Sequence, residues 1–358
     1  MSLVQGQFHH TSSAFTLDVQ FAFAGMGVTA LFGPSGCGKT TFLRLMAGLD
    51  MCTEGELLVS GRAWQTTDSF LPPHLRSLGY VFQNGQLFEH LNVQQNLQFG
   101  FDRTPKSERR IQLQQAVELL QLQPYLHRSP RQLSGGQKQR VAMGMAILRS
   151  PQLLLMDEPL SGLDEVSKSE ILPFISQLAH EVKIPIIYVS HSLDEVVRLA
   201  DDLVLMDEGR FVVHGSLSQV LTDFAHPLAL CENAGSLVQA QVKSYDQQNH
   251  LLCLGFPGGE FLTPGNELPL GEQVRLRIMA RDVSLTLNQP DSSTILNVLP
   301  AKLMEMREYG TAQTMVKLHL GETALLARIT RKSAQALDLQ PNMNVYVQVK
   351  SAVLSARR

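Results

Sequence analysis

The sequence predicts two domains, a larger α/β domain on a mostly parallel sheet and a smaller all-β domain after it. Three observations carry that expectation. Strand-sized apolar runs alternate with helical spacings up to about residue 222, two of those runs end in glycine or carboxylate clusters, and beyond about residue 236 short alternating runs are broken by Gly, Pro and Asn. At 358 residues, 44% hydrophobic and 18% charged, the chain suits two folded cores better than disorder.

From Phe15 to Phe23 apolar and polar residues alternate with the period of a half-buried strand. Residues 28–32 are a short, largely apolar run that stops at Gly33, and helical spacing follows from Lys39 to about Ala47. Residues 78–82, 153–156 and 184–190 are further strands, while residues 107–122 and 165–182 space their apolar side chains as helices do. The pattern loosens over residues 222–236, where His226, Pro227, Asn233 and Gly235 intervene, so the first domain is expected to span 1–230. The remainder divides into 231–290, a linker and first β-segment, and 291–358, a second one. It is read either as two related pieces or as one irregular β-domain.

A formal net charge of -3, with Lys and Arg spread along the chain, gives no footprint for nucleic acid. Cys37, Cys52, Cys231 and Cys253 form no C-x-x-C pair and the first ten residues lack the apolar core of a signal peptide, so a cytosolic chain with reduced thiols is expected. No apolar run approaches the roughly 20 residues of a membrane helix, so any membrane role is expected through a partner.

Gly33-Pro34-Ser35-Gly36-Cys37-Gly38-Lys39-Thr40 has the spacing of a P-loop, and it lies where that motif works, between an apolar strand and a helix. Its glycines let backbone N–H groups turn inward on phosphates, the helix N-terminus adds positive potential, and Lys39 reaches the outer phosphates. The Thr40 hydroxyl is a ligand for Mg²⁺, and Thr41 extends the phosphate-binding set. The strand at 153–156 runs into Asp157 and Glu158 at the sheet's carboxyl edge. Asp157 would hold Mg²⁺ and Glu158 would polarise an attacking water. Leu133-Ser134-Gly135-Gly136-Gln137 opens another helical pattern, so the Ser134 hydroxyl and nearby amides could donate to a γ-phosphate. Cys37, at the start of the P-loop helix, is expected to have its thiolate favoured there.

In this order the motifs resemble those of the ABC transporter ATPases, and the resemblance covers residues 28–191. It implies an α/β P-loop NTPase (ABC ATPase) domain with a helical subdomain at about 85–150, using ATP and Mg²⁺. It also implies a dimer in which Ser134, Gly135, Gly136 and Gln137 meet the ATP held by a second copy. By the same resemblance Gln83 is the Q-loop glutamine that senses Mg²⁺ and water, and Ser161-Gly162-Leu163-Asp164 is the D-loop, with Asp164 near the nucleotide. His191 is the switch histidine that steadies Glu158. Adenine stacks in this family on an upstream aromatic; Phe8, His10 and Phe15 are the candidates, and Phe15 also fits as a buried strand residue. Residues 85–100 resemble the importer region that receives a permease helix, where Leu87 and Phe88 either anchor that helix or pack within the subdomain.

Thr294-Ile295-Leu296-Asn297, Ile329-Thr330-Arg331-Lys332-Ser333-Ala334 and the run from Val345 to Ser351 resemble an OB-like regulatory β-domain of the TOBE/Mop type, which binds molybdate. The whole is similar to the ATP-binding subunits of bacterial molybdate importers. That resemblance implies integral membrane permease subunits as partners, a periplasmic binding protein indirectly, and a place on the cytoplasmic face of the inner membrane. Thr330, Ser333, Lys350 and Ser351 offer donors to molybdate or tungstate, although alternating Thr, Ser and Lys also suit a solvated β-face. An importer for sulfate, ferric ion, polyamine or sugar would share this architecture. A single P-loop without a long coiled coil argues against a soluble ABC ATPase, and the lack of a helix-turn-helix against a transcription factor. Met145 stands where arginine is common, Glu89 where proline is frequent, which is expected to loosen that loop or alter partner choice, and Asn342 where a turn glycine is usual.

Overall fold

A computed structural model describes residues 3–12, 15–52, 54–350 and 352–357. The chain divides into two compact units, Met1–His214 and Gly215–Arg358. The division precedes the expected boundary near 230, because α7 (Leu217–Thr222) packs on strands of the second unit.

The first unit carries two sheets. Strands β1 (Val4–Ser12), β2 (Phe15–Phe23), β4 (Glu54–Val59) and β5 (Arg62–Gln65) form an antiparallel sheet in the order β2-β1-β4-β5. Strands β3 (Gly27–Phe32), β6 (Leu78–Val81), β7 (Leu153–Asp157), β8 (Pro185–Ser190), β9 (Asp202–Asp207) and β10 (Arg210–Ser216) form the second, in the order β10-β9-β3-β8-β7-β6. From β9 to β6 its pairings are parallel, and β7 and β8 are buried at every position, as strands covered on both faces must be. Helix α1 (Lys39–Ala47) lies in the core that both sheets share, with Phe42 and Leu43 wholly buried. It ends at Gly48, whose φ of 72° completes the left-handed cap: Gly48 N–H donates to Leu45 O and Leu49 N–H to Arg44 O.

Helices α2 (Val93–Asp102), α3 (Leu113–Leu119) and α4 (Gly135–Ile147) form the helical subdomain, with α2 against α4. The helix expected over 107–122 is shorter. The Arg110 N–H donates to Ser150 Oγ (2.9 Å) and the Arg109 guanidinium sits over the Phe101 ring (3.9 Å), which holds the first residues off helical geometry until the Gln112–Gln115 capping box starts α3. Helix α5 (Glu165–Val182) spans its expected residues, and α6 (Leu193–Leu199) follows β8. Among the described residues no helix is long and apolar enough to cross a membrane.

The second unit has two five-stranded sheets. One contains β11 (Gly235–Asp246), β12 (Leu251–Phe256), β13 (Gly259–Pro264) and β14 (Gln273–Met279); the other contains β15 (Val283–Thr286), β16 (Asn297–Tyr309), β17 (Gln313–Leu320), β18 (Thr323–Thr330) and β19 (Asn344–Val349). The short helix α8 (Arg331–Ala336) follows β18. The last strand, β20 (Val353–Arg357), returns to pair with β14, and β15 pairs with β19, so the division expected near 290 cuts through both sheets. The larger hydrophobic cluster of the unit takes Leu252, Phe261 and Leu276 from the first sheet and Leu303, Leu318 and Val347 from the second, and a smaller one gathers Phe224, Ala229, Ala234, Ala280, Met315 and Leu326. Asn342 has φ 74°, the left-handed turn its glycine-like position requires.

Candidate functional site

Three strand ends meet at one edge of the parallel sheet. β3 pairs with β8 up to Phe32↔Ser190, and β7 pairs with β8 up to Asp157↔Val189. The P-loop, the Asp157–Glu158 pair and His191 therefore leave neighbouring strands at the carboxyl edge, where α/β sheets bind ligands. β6, in register with β7 up to Val81↔Met156, brings Gln83 to the same edge with an exposed side chain.

The P-loop turns on two left-handed glycines, Gly36 (φ 84°) and Gly38 (φ 109°). Gly38 is the N-cap of α1 and no side chain caps the helix, so its first-turn amides face outward as donors. A Cβ on Gly33 would lie 2.1 Å from Met206 O, and one on Gly38 2.3 Å from the Phe15 ring. Pro34, Ser35, Gly36 and Thr40 are exposed and Thr41 is half-buried. Lys39 is 5% exposed, with its ammonium donating to Gly33 O (2.9 Å) and Pro34 O (2.8 Å). The loop thus holds its cation at the phosphate side of β3. Cys37 corrects the expectation of a favoured thiolate: it is buried, and that burial pushes the thiol above its ordinary value despite the nearby Lys39 charge.

Asp157 gathers two hydroxyl donors, Thr40 Oγ1 to Oδ1 (3.1 Å) and Tyr80 OH to Oδ2 (3.2 Å). Burial raises its carboxyl above the usual range, and the two hydrogen bonds oppose that rise. Tyr80 was not among the residues singled out from sequence; in a short strand that ends at Val81, two residues before Gln83, only its polar tip could have marked it. Glu158 has φ 44°, in the left-handed region. Its N–H donates to Val189 O (3.1 Å), and its carbonyl accepts from Ser161 N–H (3.1 Å) and Ser161 Oγ (2.9 Å). That turn aims the carboxylate at His191, whose Nδ1 lies 3.2 Å from Glu158 Oε2.

Ser134, Gly135, Gly136, Gln137 and Asp164 lie apart from this cluster, at the starts of α4 and α5. Ser134 and Gln137 form a capping box: Gln137 N–H donates to Ser134 Oγ (3.3 Å) and Ser134 N–H to Gln137 Oε1 (3.1 Å). The Gln137 amide is thereby used within its own helix. A Cβ on Gly135 would lie 2.8 Å from Leu163, so the signature and the D-loop touch. Asp164 caps α5 by accepting from Ser167 N–H (2.9 Å) and Ser167 Oγ (2.8 Å), which holds its carboxyl below the usual range. Among the described residues no hydrogen bond joins these five to the P-loop.

Of the aromatic candidates, Phe8 is corrected: it is 1% exposed in the core against Phe42. His10 is half-buried on β1, and half-buried Phe15 stands beside Gly38. A groove of about 560 Å³ in the first unit is lined by Tyr80, Phe82, Leu87, Phe88, Phe99 and Met145 among others. The Phe88 ring packs 4.3 Å from Phe99, and buried Asn96 accepts from Phe88 N–H and donates to Phe88 O, so Phe88 both packs in the subdomain and lines the groove. Glu89 is paired with Arg131 (2.8 Å), both side chains being exposed. In the second unit Thr330 and Ser333 come together, their hydroxyls 2.7 Å apart at the start of α8. Lys350 is exposed at the end of β19 and has no hydrogen bond or ion pair to either among the described residues; Ser351 lies outside the described residues.

The ABC transporter family matches residues 17–161, and the TOBE domain matches residues 293–355. The chain is 46% identical over 352 residues to the molybdenum import ATP-binding protein ModC of Hahella chejuensis, covering 98% of each. It is 47% identical over 342 residues to the protein of that name from Aromatoleum aromaticum, covering 95% of this chain and 91% of that one. The ModC of Pseudomonas aeruginosa is 45% identical over 355 residues, with 98% of each covered. At such identity over nearly the whole of both chains, this chain belongs to the ModC family of molybdenum import ATP-binding proteins.

Proposed function

We propose that this chain hydrolyses ATP to energise import of molybdate through a membrane permease, working as a pair of copies on the cytoplasmic face of the bacterial inner membrane. The observation that carries the reading is the meeting, at one sheet edge, of the P-loop Lys39 and Thr40, the Asp157 carboxylate and the Glu158–His191 pair. The ATP phosphates take the outward amides of the loop and the Lys39 ammonium, and the adenine stacks on Phe15. Glu158, held by its backbone turn and by His191, orients a water and accepts its proton as the water attacks the γ-phosphate. Ser134 and the amides of Gly135 and Gly136 donate to the nucleotide of the second copy.

The residues suit Mg²⁺, because the Thr40 hydroxyl and the Asp157 carboxylate are hard oxygen donors already 3.1 Å apart, with Gln83 at the same edge. When bound, the ion neutralises charge on the outer phosphates. The permease is received at the groove beside Leu87 and Phe88, where Met145 supplies an apolar wall in place of a cation. The periplasmic binding protein acts through the permease. The C-terminal unit takes the oxyanion, molybdate or tungstate, with Lys350, Ser351 and the Thr330–Ser333 hydroxyl pair as its donors.

Two measurements test this. Glu158→Gln should retain ATP binding and lose turnover by roughly 10²- to 10⁴-fold; full turnover in the variant would remove Glu158 from the chemistry. Titration calorimetry with molybdate, tungstate and sulfate, repeated on Lys350→Ala, should give oxyanion-selective binding that weakens in the variant. An unchanged isotherm would place the oxyanion elsewhere.

A further inference from the structure

We propose that Glu195 is the positioning residue for His191, fixing the backbone from which the histidine reaches Glu158. The inference rests on the hydrolysis reading. It starts from a carboxylate that is 6% exposed and surrounded by donors. Tyr188 OH donates to Glu195 Oε2 (2.9 Å), Ser190 Oγ donates to the same oxygen (2.7 Å), and the Lys168 ammonium of α5 lies 3.5 Å from Oε1. A buried carboxyl group is tolerated only with such partners, and these partners draw together β8, α6 and α5.

The geometry of β8 explains the choice of residues. Tyr188 and Ser190 are two apart on a strand, so both hydroxyls leave the same face and reach one carboxylate. His191 comes next and exposes 57% of its side chain, with the Glu158 carboxylate as its hydrogen-bond partner. A side chain so little enclosed takes its aim from its backbone. The residues on either side of it are clamped: Ser190 Oγ donates to Glu195 and accepts from Ser192 N–H (2.9 Å), while Ser192 Oγ accepts from Glu195 N–H (3.5 Å). Glu195 therefore closes a ring of hydrogen bonds around the peptide units that carry His191. Among the described residues no hydrogen bond or ion pair of these side chains goes to the P-loop, so the device acts on the placement of the histidine and leaves nucleotide affinity alone.

The experiment is steady-state ATP hydrolysis by the full chain as wild type, Glu195→Ala, Glu195→Gln and Ser190→Ala, beside the affinity of each for a fluorescent ATP analogue. Glu195→Ala should lower kcat by roughly 10- to 100-fold, as expected when a catalytic side chain is displaced by a fraction of an ångström to one ångström. The KM for ATP and the analogue affinity should stay within about two-fold of wild type. Glu195→Gln keeps an oxygen acceptor for both hydroxyls and should recover most of the lost kcat. Ser190→Ala should fall in the same direction, and the double variant Ser190→Ala/Glu195→Ala should be no worse than the poorer single one, because both act through one contact. If Glu195→Ala does not fold, Ser190→Ala and Glu195→Gln decide the matter. Wild-type kcat in Ser190→Ala, loss of ATP affinity in step with kcat, or a Glu195→Gln variant as impaired as Glu195→Ala overturns the proposal. A wild-type chain that binds ATP without hydrolysing it overturns the hydrolysis reading first, and this inference falls with it.

Discussion

Single residues decide the chemistry of the P-loop, and Cys37 shows burial outweighing the helix N-terminus. Its thiol is raised by burial, so at any given pH the folded protein holds less thiolate than the unfolded chain. Alkylation by iodoacetamide should therefore be slower than for free cysteine at pH 7, should climb only as pH passes above the ordinary thiol range, and should be slowed further by saturating ATP. Mass spectrometry of the labelled peptide reads all three, and labelling at pH 7 as fast as free cysteine would contradict the buried environment. The P-loop and the acidic pair could be named from sequence because each is a local motif, with its spacing set by one strand and one turn, whereas His191 was named only through the order of motifs in the family it resembles; the structure brings all three to one sheet edge. Tyr80 was not named, since its partner Asp157 is 77 positions away and only the pairing of β6 with β7 brings them together. The displacement of Phe8 from the nucleotide to the core has a similar cause: alternation marks a face of β1, and the packing of Phe42 decides what covers it.

At the scale of the element, the C-terminal end of α1 is fixed as carefully as its phosphate end. Arg76 is 1% exposed, and its guanidinium donates to Leu45 O and Met46 O of α1, to Leu71 O and, at 3.4 Å, to Trp64 O. Burial pushes its pKa down to about 10, which leaves it charged at neutral pH, where a cation at a helix C-terminus is favourable. Arg76→Leu should cost about 3 kcal/mol in urea unfolding, because it takes the side-chain donor from Met46 O and Leu71 O, while Leu45 O and Trp64 O keep the Gly48 and Leu71 amides. Arg76→Lys should not restore the loss, since one ammonium cannot reach carbonyls spread along a planar fork. Nearby, Arg44 pairs with Asp50 through two bonds of 2.7 and 2.8 Å, and that hydrogen bonding holds the Asp50 carboxyl below its ordinary value. A lowered folded-state pKa gives stability that is present above the unfolded value, about 3.9, and is lost as pH falls through the lowered one. Asp50→Asn should then cost about 0.5 kcal/mol at pH 7, a small figure because both side chains are partly exposed, and nothing below that window. Element boundaries were less legible than elements: α5 fell on its expected residues, capped by Asp164, whereas α3 starts late because Ser150, 40 positions away, captures the Arg110 amide.

At the scale of the whole molecule, each unit has its own core, and the second one is built by exchange between its sheets. The strand alternation beyond residue 236 was readable; which sheet each strand joins was not, because alternation records a buried face and carries no address for the neighbour. Asn297 marks one place where the sheets are stitched: its Oδ1 accepts from Leu262 N–H (2.7 Å) and its Nδ2 donates to Leu262 O (2.9 Å), across from β16 to β13. Asn297→Ala should destabilise the second unit by about 1–3 kcal/mol, read as a lower melting temperature, because it strands two partly buried backbone groups. Removing residues 353–357 should expose the edge of β14 and lower that melting temperature further, with loss of slow hydrogen exchange in β11 and β14 as well as at the deletion; slow exchange retained in β14 would show that the sheet closes without β20. The return of β20 to β14 also has a meaning in time. A ribosome delivers β14 some 75 residues before the strand that flanks it, so the first sheet waits, with an open edge, until every strand of the second has been synthesised. During that interval the nascent chain is open to pairing with another chain at β14, and slow elongation through residues 280–352 should increase aggregation during synthesis while leaving the finished protein's stability unchanged.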